Sequence, residues 1–206
     1  MTEKSMNNRT CSFCNIIKNN LNNKLFNQIL YENDRFVIIP SIGPFTVGHV
    51  LVVPKIHIIS LFNSPVDIIN DYQVFINDIT SKMAIFSAEL LEIEHGSTNT
   101  INAGASIQHS HIHLIPGYGF LENILEDKFK VIKSKNNIIG LSRINKPYVY
   151  IRGSTRISKL YLVGALPQQY MRKVLFNQYG RNDWNWKKYP NLNIIKKTID
   201  IFKNGN

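Results

Sequence analysis

Short apolar runs split by turn residues alternate with one long amphipathic stretch, and that pattern predicts a mixed fold. Ile29 to Tyr31, Phe36 to Ile39 and His49 to Val53 are strand-sized and are separated by Asn33-Asp34 and Gly43-Pro44; such runs read as an antiparallel meander. Ser64-Pro65 then offers an N-cap with proline at the first helical position and Asp67 in the first turn. Behind it Ile68, Tyr72, Phe75, Ile79, Met83, Phe86 and Leu90 recur at intervals of three or four, which predicts one apolar stripe over about six helical turns. Glu94-His95-Gly96 closes that element, and strands are expected near Asn99 to Ala103 and Gln108 to Ile115, the second stopped by Pro116-Gly117. A long helix on a small antiparallel sheet is an α+β arrangement.

Beyond residue 119 the pattern changes. A short helix (Phe120 to Phe129), strands at Tyr148 to Arg152 and Leu160 to Val163, and helices at Pro167 to Tyr179 and Leu192 to Phe202 are expected. Tyr148, Tyr150, Tyr161, Tyr170, Trp184 and Trp186 give this half aromatics of its own, so it reads as folded and not as a disordered basic tail. Two units result: residues 1–119 carrying the chemistry, and residues 120–206 as a mixed α/β extension packed on it. Ile17 to Lys24 reads as a polar loop or a helix end.

Composition sharpens that division. The chain has 206 residues, 44% of them apolar, which suits one domain with a sizeable extension. Its net charge of +10 is very uneven: residues 1–119 hold seven Lys/Arg against nine Asp/Glu, whereas residues 120–206 hold seventeen against five. The second half is therefore an expected surface for polyanions, either a single-stranded nucleic acid or a nucleic-acid end. No apolar run approaches the ~18 residues of a membrane span. The opening MTEKSMNNRT lacks the apolar stretch of a secretory signal, so a cytoplasmic location without membrane contact is expected.

The only two cysteines, Cys11 and Cys14, are spaced C-S-F-C. That spacing suits a metal clamp or a redox pair more than a structural disulfide. Nothing before Cys11 reads as a strand, so metal is the better account.

The densest chemistry lies in Gly104-Ala105-Ser106-Ile107-Gln108-His109-Ser110-His111-Ile112-His113-Leu114-Ile115. On a strand, His109, His111 and His113 would share one face, with Ile112 and Leu114 anchoring the other. Such a row serves either a three-imidazole metal site or covalent catalysis by a histidine held by its neighbours. The Gly-Ala-Ser lead-in favours the second, because small residues let backbone N–H groups and the Ser106 hydroxyl approach an anion.

H-S-H-I-H-L-I resembles the motif of the histidine triad family. The likeness extends upstream through Cys11-Ser-Phe-Cys14, Tyr31-Glu32 and Gly48-His49-Val-Leu-Val-Val-Pro54-Lys55-Ile-His57, in the family's order and over roughly residues 11–116. The resemblance implies a small antiparallel sheet with a long helix. It implies a nucleotide substrate and cleavage of a phosphoanhydride or phosphoramidate, such as a dinucleoside polyphosphate or an AMP conjugate, through a nucleotidyl-histidine. His111 would be the nucleophile, His113 a phosphate ligand and proton donor, and His49 a fourth active-site histidine beside the catalytic one. In CxxC members the first histidine goes to zinc, which gives the closed structural set Cys11, Cys14, His57 and His109. Transfer to phosphate or a sugar phosphate, and end-processing of adenylated DNA, use the same chemistry; a homodimer is common in the family.

Departures from the family pattern bear on specificity. Ser41 stands where an aspartate often meets the ribose, Ala105 replaces a phosphate-binding glutamine, and Asn102 lies near the family's phosphate-binding asparagine. Ile115 follows the triad where the dinucleoside-hydrolase and transferase branches have glutamine. In the extension, Arg143, Arg152, Arg156, Arg172 and Arg181 are the candidates for phosphate contact, since guanidinium gives planar paired donors.

Overall fold

A computed structural model describes residues 11–19, 24–86, 89–134 and 138–204. The opening decapeptide and residues 20–23 of the expected polar loop lie outside the described residues.

One eight-stranded antiparallel sheet organises the chain. Its strands are β1 (Tyr31–Glu32), β2 (Phe36–Pro40), β3 (Val50–Pro54), β4 (Leu91–Gly96), β5 (Ile112–Ile115), β6 (Lys130–Ser134), β7 (Tyr148–Arg152) and β8 (Ser158–Leu162). Their spatial order is β1-β2-β3-β5-β4-β7-β8-β6. The extension continues this sheet: Glu92 to Gly96 of β4 pair with Tyr148 to Arg152 of β7.

Layers cover both faces, which is why β2 and β3 are apolar at almost every position. Phe36, Ile38, Val50, Val52, Ile112 and Leu114 pack against α2 (Val66–Lys82) through Ile69, Tyr72, Phe75 and Ile79. The alternate residues Val37, Ile39, Leu51 and Val53 face α1 (Ser12–Asn19) through Phe13 and Ile16. Farther along that second face, Leu91, Ile93, Val149 and Ile151 meet Met171, Leu175 and Phe176 of α3 (Tyr170–Gln178). The last helix, α4 (Leu192–Asn204), returns to the first half, where Thr198 accepts the Gly48 N–H at 2.9 Å. No helix among the described residues is long and apolar enough to cross a membrane.

Several elements differ from expectation. The long helix ends at Lys82, because Met83 is extended (φ −112°, ψ 106°). Phe86 and Leu90 still reach the same core, Phe86 from a single 3-10 turn at Ala84–Phe86, so the apolar period outlasts the helix. Glu94-His95-Gly96 then belongs to a strand. Its alternation is hidden in sequence because Glu92 and Glu94 are fully buried, held by Tyr72 and Tyr150 and by Tyr148 and Ser110 respectively. At the start of α2, Pro65 is the N-cap, and Ser64 spends its hydroxyl on the Leu61 carbonyl at 2.5 Å.

Asn99 to Ala103 is a loop whose one ladder contact is a parallel bridge from Ala103 to Leu166. The motif strand begins only at Ile112. The short helix after residue 119 is a 3-10 segment at Gly119–Asn123, and α3 starts at Tyr170 instead of Pro167. Helix α1 overlaps the expected polar loop or helix end only at its last turn, and β6 carried no sequence expectation.

Candidate functional site

A cleft of about 470 Å³ lies on the sheet face opposite α2, within the size range of small-ligand sites. One part is apolar, lined by Phe13, Ile16, Phe26, Ile39, Leu51 and Ile107; the other holds His95, His111, His113, Gln169 and Arg172. The two parts come from different sources. Strands β2 and β3 and helix α1 supply apolar side chains, while β4, the motif loop, β5 and α3 supply polar ones.

Hydrogen bonds fix the tautomer of each cleft histidine. His111 Nδ1 lies 2.7 Å from the His109 carbonyl; a carbonyl only accepts, so Nδ1 carries the proton and Nε2 keeps its lone pair. His49 Nδ1 accepts the Phe45 N–H at 2.9 Å, so its proton is on Nε2, which donates to His113 Nδ1 at 2.9 Å. His113 is thereby left with a proton on Nε2. His95 Nδ1 donates to the Ala103 carbonyl at 2.8 Å and keeps an Nε2 lone pair. Burial, the largest cause for all four, lowers their proton affinities: His95 to about 4, and His49 and His113 well below the ordinary value, with the Arg172 charge pushing the last two the same way. Each is a neutral imidazole at pH 7.

Beside the cleft, Cys11, Cys14, His57 and His109 bring four donor atoms within 4.8 Å of one another. Three of the S···N separations are 3.3, 3.4 and 3.6 Å. A tetrahedral ion with bonds of about 2.3 Å to sulfur and about 2.0 Å to nitrogen has S···N edges of about 3.5 Å. His109 Nε2 donates to the Pro54 carbonyl at 2.9 Å, which turns the Nδ1 lone pair to the thiols as a ligand requires. Burial and Cys11 raise the Cys14 thiol to about 11, so a thiolate there needs a neighbouring cation. The group fits a divalent metal.

His109, His111 and His113 all turn to the α1 side of the sheet, His109 and His111 packing on Phe13 and the His111 and His113 ring centroids lying 5.4 Å apart. Only His113 lies within β5, however; the chain bends through residues 106–109. That bend sends His109 to the cysteines and leaves His111 against Phe13, with ring centroids 5.2 Å apart. His49 sits behind His113 and not on the cleft wall beside His111. Ser41, Ala105 and Ser106 line the cleft.

Asn102 does not act as a phosphate-facing residue here. Its amide braces the loop by donating to the Ala105 carbonyl and accepting the Gly104 N–H, at 3.0 and 2.8 Å. Gly104 has φ +94°, and a Cβ there would come within 2.9 Å of the Pro167 carbonyl, so glycine is required where the motif loop meets the extension. Leu166 N–H to the Asn102 carbonyl and Gln169 N–H to the Gly104 carbonyl stitch the two together.

Of the five arginines singled out in the extension, Arg172 alone lines the cleft among the described residues. Arg152 pairs with buried Glu92, Arg156 approaches the same carboxylate, and Arg181 chelates Asp183; Arg143 lies outside the cleft lining. Tyr148, Tyr150 and Tyr161 are core residues with no exposed surface, so they form no stacking platform for bases. His95, Gln169 and Trp186 are cleft residues that sequence reasoning missed. For His95 the signal was its place in a Glu-His-Gly strand end; for the other two the sequence carries none.

The HIT domain family model matches residues 22–120. An uncharacterised HIT-like protein of Borreliella burgdorferi is 32% identical over 134 residues, covering 58% of this chain and 91% of that one. Adenylylsulfatase HINT3 of Arabidopsis thaliana is 31% identical over 110 residues, covering 52% of this chain and 51% of that one. A solved histidine triad protein from Clostridium difficile is 28% identical, with a TM-score of 0.45, over 54% of this chain and 94% of that chain.

Proposed function

The chain belongs to the HIT domain family, and on that premise we propose that it cleaves a nucleotidyl phosphoanhydride or phosphoramidate through a covalent nucleotidyl-His111 intermediate. One observation carries the reading: the His109 carbonyl holds the proton of His111 on Nδ1 at 2.7 Å, leaving a neutral Nε2 lone pair on a cleft of nucleotide size. The name adenylylsulfatase borne by the Arabidopsis relative agrees with a substrate in which a nucleotidyl group is joined to a leaving group.

The apolar part of the cleft suits the base, with Ser41 as a hydroxyl for the ribose. Ser106 and the glycine-bearing loop before it are the phosphate donors. His111 Nε2 attacks the α-phosphorus; the P–N bond forms as the bond to the leaving group breaks. His113 Nε2–H, backed by His49 and the Phe45 N–H, hydrogen-bonds the bridging oxygen of a phosphoanhydride, where negative charge builds. With a phosphoramidate it gives its proton to the bridging nitrogen, which leaves as the neutral amine, and His113 then regains a proton from solvent. Water then attacks the phosphorus, the P–N bond breaks, and the nucleoside monophosphate leaves with the hydroxyl. The proton released from that water goes to solvent, and His111 returns neutral.

Cys11, Cys14, His57 and His109 are proposed to hold a structural zinc, since four protein ligands leave no position for water. Bound there, it supplies no reaction chemistry; it fixes the chain two residues before His111.

The test is turnover of a fluorogenic AMP amide. Wild type should release the fluorophore, and His111→Ala should fall by about 10³-fold or more while keeping its melting temperature. Turnover in His111→Ala within about tenfold of wild type would remove His111 as nucleophile.

A further inference from the structure

We infer that Arg172 and Gln169, both contributed by the extension, form an oxyanion subsite beside His113, so that the substrate is a nucleotide whose leaving group is itself a phosphate or sulfate. This rests on the proposed role of His111 and narrows it to one class of leaving group.

Arg172 is 8% exposed. Its Nε donates to the Trp184 carbonyl at 3.0 Å and one terminal nitrogen to the Gly43 carbonyl, and the guanidinium lies 5.5 Å from the Phe176 ring centroid. These contacts fix its plane without neutralising it. Among the described residues no carboxylate lies within ion-pair range of Arg172. Asp183, the acid whose charge it feels, is bound through both oxygens by Arg181 at 3.0 and 2.7 Å. Burial lowers the guanidinium to about 10. A buried cation held by carbonyls but lacking a counter-ion is costly unless an anion arrives.

The cleft gives that anion one direction of approach. Its described lining contains two cations, Lys24 and Arg172, and no Asp or Glu. Gln169 Oε1 accepts the Trp186 N–H at 3.1 Å, so its amide nitrogen is a donor on the same wall. The Arg172 charge acts on His113 and His49, the pair proposed to serve the leaving group, and the apolar wall for the base is made of other residues. A guanidinium edge and an amide together match a tetrahedral oxyanion. When His111 Nε2 bonds to phosphorus and the bridging bond breaks, a phosphate or sulfate leaves with both bonding electrons, and Arg172 receives that charge.

Two measurements separate this inference from the reading beneath it. Binding of inorganic pyrophosphate, read by calorimetry at low salt, needs no turnover. Wild type should bind, Arg172→Gln should bind at least about tenfold more weakly, and Lys173→Ala, an equal charge change at an exposed neighbour, should stay within about twofold. No binding by wild type, or equal losses in the two variants, overturns the subsite. In turnover, the kcat/KM ratio of adenosine 5′-phosphosulfate or diadenosine tetraphosphate over an AMP amide should fall at least about tenfold in Arg172→Gln. The relative size of the two oxyanion arms tells sulfate from phosphate. A proportional fall on all substrates overturns the inference, whereas wild type turning over none of them counts against the nucleophile and leaves the pyrophosphate result standing. Gln169→Ala and Arg172→Lys give the same readings if Arg172→Gln does not fold, with Arg172→Lys expected to recover part of the binding.

Discussion

Replacing Glu94 with glutamine should make the protein more stable at alkaline pH and little changed in acid. Glu94 has no exposed surface. Its carboxyl accepts three hydrogen bonds: from the Leu61 N–H at 2.9 Å, from Ser110 at 2.5 Å and from Tyr148 at 2.5 Å. Burial outweighs those donors and raises its proton affinity from 4.5 to about 7. Between those values the folded state binds more protons than the unfolded chain, so stability falls as pH rises through this window. A displacement of that size corresponds to about 3 kcal/mol. Glutamine keeps an acceptor for Leu61 and Ser110, its amide can donate to the Tyr148 oxygen, and it never ionises. Urea unfolding of both proteins from pH 5 to pH 8.5 reads the effect. The Glu94→Gln minus wild-type difference should be near zero at pH 5 and should rise by about 3 kcal/mol by pH 8. Parallel curves would refute the reasoning. A difference of the opposite slope would mean that the three donors hold the carboxylate ionised in spite of burial.

His95 carries the reverse sign. Burial holds it at about 4 against an ordinary 6.5, so its contribution is present above 6.5 and is lost as pH falls towards 4. His95→Asn should therefore flatten the acid limb by about 3 kcal/mol; an unchanged limb in urea titrations between pH 4 and 7 would count against it. Cys14→Ser should lower metal content from one zinc per chain to well below one by mass spectrometry of the purified protein. Its melting temperature should drop by about 10 °C or more, as removal of a closed site implies; full zinc occupancy in the variant would dismiss Cys14 as a ligand. Ser106→Ala should lower kcat/KM by about tenfold through loss of one phosphate donor, and an effect confined to stability would reassign Ser106 to packing.

The fold was legible in sequence where apolar period and burial agree. Strands β2, β3 and β7 lie where short apolar runs put them, since their side chains enter the core on both faces. Strand β4 was hidden because its inward positions are Glu92 and Glu94, whose tyrosine and serine partners come from residues 16 to 58 positions away. The helix boundary failed for the converse reason: Phe86 and Leu90 keep the apolar period after the backbone has left the helix. In the site, motif order singled out His111, His113 and the four metal-type residues. Arg172 was singled out only as one of five arginines, and the contribution of Gln169 and Trp186 was not legible, because a short segment following β8 meets the motif loop through backbone pairing with Asn102 and Gly104. No local pattern encodes such a contact.

The most direct test of the central claim is to stop the reaction with alkaline detergent during steady turnover of an isotopically labelled adenylyl conjugate and map the label by mass spectrometry of proteolytic peptides kept above neutral pH. The account predicts an acid-labile adenylyl group on the peptide containing His111, absent from His111→Ala. Turnover in which no adenylyl-peptide accumulates under any quench, with oxygen from labelled water entering the monophosphate in one inverting step, would contradict it.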